Sequence, residues 1–123
     1  MTPEELCSQF AKLHNSIIGV VLAEGGSVRA ANVKSGASLP NQAKLETMIA
    51  QSELVRNVFR KNEDYFGTLH FITASYNNAD VFLFTISINA RNFVLAIIVS
   101  PPYVHEEIVG KIRQYFGEVR LSR

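Results

Sequence analysis

At 123 residues the chain is long enough for one domain with a real hydrophobic core. Apolar residues make up 47 % and charged residues 19 %, a globular rather than a disordered balance. The net charge of +1 comes from interspersed acids and bases, without the basic patch that nucleic acid selects, and no apolar run approaches the roughly 20 residues of a membrane helix.

The opening MTPEELCSQF is acidic and polar and carries no secretory signal. From Glu4 to His14 the spacing predicts a short helix, because Leu6, Phe10 and Leu13 fall on one stripe. Thr2 and Pro3 supply a cap and a first helical residue. Cys7 is the single cysteine, so no internal disulfide forms; that suits a reducing compartment, and the expected address is the cytoplasm.

SIIGVVLA (16–23) is apolar on both faces and predicts a strand. Gly25-Gly26 turns it into VRAANVK (28–34), whose Arg29, Asn32 and Lys34 suit an edge strand. After the turn residues of SGASLPN a helical period runs from about Asn41 to Lys61. Leu45, Met48, Ser52, Val55 and Phe59 make one stripe. Leu54 and Val58 lie off it by roughly 100° of rotation, and Thr47 and Gln51 extend that second strip. A helix lying on a sheet needs one apolar face; this one has two.

Three strands follow: TLHFITASY (68–76), DVFLFTISI (80–88) and the unbroken apolar run Phe93 to Val99. Short polar turns make them antiparallel neighbours. After Pro101-Pro102, residues 103–116 read as a helix presenting Val104, Ile108, Ile112 and Tyr115, with Gly117 to end it. Only the first and last strands are apolar on both faces, so they belong side by side at the centre of the sheet. The hairpins then dictate the order 2-1-5-4-3. The predicted fold is a three-layer α/β/α sandwich, an α/β (α+β) class with elements α-β-β-α-β-β-β-α. The first and last helices cover one face and the long helix the other, and residues 1–123 form a single domain.

A search for chemistry finds none. His14, His70 and His105 are scattered outside any metal-ligand spacing. His105-Glu106-Glu107 suits the first turn of a helix, Cys7 reads as a buried structural thiol, and Gly25-Gly26 lacks the length and the lysine of a phosphate loop. No catalytic residue, metal or cofactor is expected. Two features exceed what folding requires: the strip Thr47, Gln51, Leu54 and Val58, and an edge strand offering Leu69, Phe71, Ile72 and Tyr76 with no internal charge other than that His70 can carry. Together they predict a two-fold contact between copies.

IIGVVLAEGGSVRAA, the long amphipathic second helix, DVFLFTISINARNFVLAIIV and the helix after Pro101-Pro102 resemble the roadblock family, the dynein light chain type that includes regulators of small GTPases. The likeness spans about Leu6 to Phe116. It implies a homodimer, or a heterodimer with a relative, joined through the third strand and second helix. It also implies a small Ras-like GTPase as partner. Family members scaffold or regulate such GTPases, and some accelerate GTP hydrolysis without donating a catalytic residue. No GTPase-contacting residue carries over from the family pattern. Neither nucleic acid nor membrane insertion is expected. An alternative reading is a PAS- or GAF-like sensor of small molecules, with Thr73, Ser75, Thr85 and Ser87 as inward polar groups. A purely structural scaffold is the other.

Overall fold

A computed structural model describes residues 2–121, with side chains as far as Phe116. The elements in chain order are α1 (Pro3–Ala11), β1 (Ile17–Glu24), β2 (Ser27–Val33), α2 (Gln42–Arg60), α3 (Glu63–Phe66), β3 (Phe71–Ser75), β4 (Asp80–Ile88), β5 (Arg91–Val99) and α4 (His105–Leu121). The five strands form one antiparallel sheet in the order β2-β1-β5-β4-β3, as the paired apolar runs require. β1 and β5 are its spine, with Val20 opposite Ile97 and Leu22 opposite Leu95.

Turn chemistry sets the hairpins. Gly25 and Gly26 have φ of 59° and 84°, and Asn89 and Ala90 have 52° and 64°, the doubly left-handed pattern of two-residue turns matched to strand twist. In β1, Gly19 serves a different purpose. A Cβ there would stand 3.0 Å from Leu39 Cδ2, so the glycine leaves room for Leu39, in the loop before α2, to pack closely on the sheet.

Alternation along each strand sorts the core into two layers. Under α1 and α4 lie Leu6, Phe10, Val20, Leu22, Phe82, Phe84, Leu95, Ile97, Ile108 and Ile112. Under α2 lies a smaller cluster of Val21, Ala23, Ile49 and Ala96, flanked by half-buried Leu39, Leu45, Val81, Leu83 and Ile98. Helices cover both faces in the arrangement expected.

Several boundaries differ from expectation. α1 stops at Ala11, and Leu13, past its end, still packs on the core. Val104 is exposed ahead of α4 rather than on its buried face. Gly117 lies inside α4, which continues to Leu121. One interior glycine costs only about 1 kcal/mol, too little to end a helix anchored by the fully buried Ile108 and Ile112. β3 is shorter than 68–76, running from Phe71 to Ser75, and the Leu69 N–H before it bonds Glu63 Oε2 at 2.7 Å.

At one end of the sheet the Asp80 carboxylate accepts the Ser75 hydroxyl at 2.6 Å and the Tyr103 hydroxyl, tying the β3–β4 hairpin to the segment before α4. These hydrogen bonds, Ser75's first, hold Asp80 below the usual carboxylate range. A depressed folded pKa means that the stabilisation is present above the unfolded value near 4 and lost as pH falls through the folded one. Asp80→Asn should therefore lower the melting temperature at pH 7. The gap to the parent should close on acidification below about pH 4, as thermal melts at several pH values will show.

Candidate interaction surface

The interaction surface starts from how α2 is seated. Asn41 caps the helix by accepting the Lys44 N–H at 2.9 Å. The side facing the sheet carries Leu45, Ile49, Ser52 and Arg56. That corrects the expected stripe, because Val55 and Phe59 are exposed and Ile49 and Arg56 hold the positions beneath. The outward side carries Leu54 (69 % exposed), Val58 (61 %), Phe59 (50 %) and Val55 (45 %), two adjacent i, i+4 rows of apolar residues facing solvent. Thr47 and Gln51, also exposed, lie along the same flank.

Arg56 is 91 % buried, and its Nη2 donates to Glu53 Oε1 at 2.9 Å, whereas its Nε–H finds no acceptor among the described residues. Removing one member of such a pair strands a charge, whereas an apolar residue of similar length needs no partner. Glu53→Ala should cost about 1–3 kcal/mol. Arg56→Met should be neutral or stabilising in a urea titration.

Beyond α2 comes α3, a four-residue helix that the polar run Lys61 to Asp64 hides in the sequence. Asn62, the paired acids Glu63-Asp64 and Gly67 are the start and stop signals that mark it. Its Tyr65 and Phe66 are 84 % and 81 % exposed, and their rings meet edge to face with centroids 4.7 Å apart. In sequence these aromatics lie between the apolar flank of α2 and β3.

β3 is the sheet's bare margin. The Tyr76 N–H bonds the Ala79 carbonyl at 2.9 Å, which sets the ladder phase. Residues 72 and 74 then exchange hydrogen bonds with β4, while Phe71, Thr73 and Ser75 turn their N–H and C=O groups outward. The opposite margin is guarded. Glu46 of α2 accepts the Val28 N–H at 3.0 Å, and Arg29 pairs with Glu24 at 3.3 Å.

The seven residues predicted for the contact fall into four groups. Thr47, Gln51, Leu54 and Val58 share the outer flank of α2. Ile72 is half-buried on the α2 side of the sheet, beside Leu83. Phe71 points to the other side, where it stacks on Phe84 with centroids 5.2 Å apart, so only its backbone belongs to the margin. Leu69 precedes the strand, half-buried. Sequence reasoning missed Tyr65 and Phe66, and assigned Val55 and Phe59 to the core.

His14, Cys7 and Tyr103 have structural work. His14 bonds Glu107 Oε1 through Nε2 at 3.0 Å, and its Nδ1 accepts the Ser16 N–H. The Cys7 thiol is fully buried, and burial, reinforced by Glu4, pushes its pKa to about 11. Burial and then Asp80 push the Tyr103 phenol to about 12. Neither is poised for proton transfer near neutrality. Among the described residues no three metal-ligating side chains gather, and no helix is long and apolar enough to cross a membrane.

No protein-family model matches the sequence, and no curated protein matches it. The architecture does have solved counterparts. The roadblock/LC7 domain from Streptomyces avermitilis superposes with a TM-score of 0.70 over 99 % of this chain and 98 % of that one, at 13 % identity. The fold is the roadblock/LC7 fold. Myxococcus xanthus MglB shares it at a TM-score of 0.72 and 14 % identity, over 94 % of this chain and 89 % of that one. The gliding protein MglB from Thermus thermophilus shares it at 0.70 and 11 %, over 89 % and 79 %. At such identities the roadblock likeness is one of backbone.

Proposed function

We propose that this chain is a non-enzymatic interaction module that dimerises and, as a dimer, binds and regulates a small Ras-like GTPase. The observation that carries the reading is the bare β3 margin lying next in sequence to an apolar helical flank, on a fold shared with MglB. The dimer contact runs through Thr47, Gln51, Leu54 and Val58 of α2 and through the margin from Leu69 to Ile72. Burying the α2 flank removes apolar area from water, and pairing the margin satisfies its backbone. The second copy is identical or a relative of the same fold.

The paired α2 helices over a ten-strand sheet make a broad, rigid platform. A GTPase docked on it has its switch segments biased toward one arrangement, a population shift that needs no catalytic side chain from the platform. The sensor alternative is less well supported. Thr73, Ser75, Thr85 and Ser87 are exposed, and the space under α2 is occupied by Val21, Ala23, Ile49 and Ala96.

Pull-downs with the small GTPases encoded in the same genome, each loaded with GDP or a GTP analogue, test the proposal. Binding that depends on the nucleotide is the expected result. Absence of binding in both states removes the GTPase from the proposal.

A further inference from the structure

The sheet loses a strand toward one end, and a cleft opens there on the face opposite α2. β4 runs on to Ile88, but β3 pairs with it only as far as Phe84, so residues 85–88 have a strand on the β5 side alone. The cleft measures about 420 Å³, within the roughly 300–1,000 Å³ typical of small-molecule sites. We infer that it binds a small monocarboxylate with an apolar body, held at its charged end by Arg113. The inference is separate from the dimer and GTPase reading.

The floor sets the body of the ligand. Leu6 and Phe10 of α1, Phe84, Ile86 and Ile88 of β4, and Phe116 of α4 line it. Phe116 meets Phe10 and Phe84 edge to face, with centroids 5.4 and 5.2 Å away, which makes one wall aromatic. An alkyl or aryl group leaving water for this surface is favoured in proportion to the apolar area covered.

The rim sets the charge. Thr68, His70 and Asn92 stand there beside Arg113, and among the described residues no acid lines the cleft. The segment carrying Thr68 and His70 is fixed, since the Leu69 N–H bonds Glu63 Oε2 at 2.7 Å. Arg29, Arg56 and Arg91 each hold a glutamate. Arg113 makes no ion pair among the described residues, and its guanidinium rests over the Phe71 ring, 5.7 Å from the centroid. A guanidinium matches a carboxylate through two parallel N–H donors. One fixed positive charge balances a carboxylate better than a doubly charged phosphate monoester. At the rim the pair stays partly in water, so little desolvation opposes it.

Titration of the full chain with octanoate, followed by two-dimensional amide NMR, tests the assignment. Saturable binding with a dissociation constant of about a millimolar or below is expected. The shifted amides should cluster at residues 68–70, 85–88 and 113–116. Arg113 is exposed on α4, so Arg113→Gln should fold normally by circular dichroism. It should weaken octanoate by about tenfold or more. Its affinity for octan-1-ol, which has the same body without the charge, should be unchanged. Thr68→Trp, at the exposed rim, should block both ligands. Equal octanoate affinity in Arg113→Gln, or tighter binding of octyl phosphate than of octanoate, overturns the carboxylate assignment. Shifts that fall elsewhere, or no saturable response at millimolar octanoate, overturn the site.

Discussion

Leu54→Glu should yield a folded monomer. In a single copy Leu54 is 69 % exposed on the outer flank of α2, so the substitution removes no core contact. Leucine and glutamate differ little in helix propensity, and exposed substitutions usually change stability by only about 0.5 kcal/mol. The proposed dimer contact responds differently. A carboxylate pressed into an apolar contact without a partner costs several kcal/mol, and each 1.4 kcal/mol is about a tenfold loss of affinity. Dissociation should therefore strengthen by about a thousandfold or more. Sedimentation equilibrium should show the monomer mass with the far-ultraviolet circular dichroism unchanged, and Val58→Glu should behave alike. An unaltered dimer mass would clear the α2 flank of any part in assembly, with the fold untouched.

Ile97→Asp should leave no folded protein. Ile97 is fully buried at the centre of β5, opposite Val20 on one side and Phe82 on the other. Its removal forfeits about 2–5 kcal/mol of packing, and an unpaired carboxylate adds several more. A domain of this size has about 5–15 kcal/mol in total. Loss of the cooperative thermal transition checks the prediction. A folded variant would mean that the layer under α1 and α4 admits water.

The contrast between these two sites follows what the sequence makes legible. β1 and β5 are read correctly because each lacks a wet side, a condition only a doubly covered strand satisfies, and their adjacency fixes the sheet order. The turns were legible through Gly25-Gly26 and Asn89-Ala90. α2 is harder, because two stripes begin at Leu45. The one through Val55 and Phe59 has more apolar residues, yet the sheet takes the one through Ile49 and Arg56. A buried arginine is not something periodicity proposes, since its cost is met by Glu53, which the pattern does not see. Leu54 and Val58 were legible as excess over folding need. Tyr65 and Phe66 were hidden because a four-residue helix has no periodicity to detect. The division of Phe71 from Ile72 between the two faces depends on strand phase, which the Tyr76–Ala79 hydrogen bond sets.

The inequality of the sheet's two margins bears on how far such a molecule can grow. A flat, uncharged strand invites endless addition, the route to fibrils. In the proposed dimer a twofold union would consume the inviting margin of both members. What remains outermost is β2, where Glu46 occupies the Val28 amide and Arg29 and Lys34 deter newcomers. Accretion along the sheet would then halt at two. The vulnerable species is the unmated copy, and a surplus of one subunit over its mate is the condition under which precipitation is to be sought.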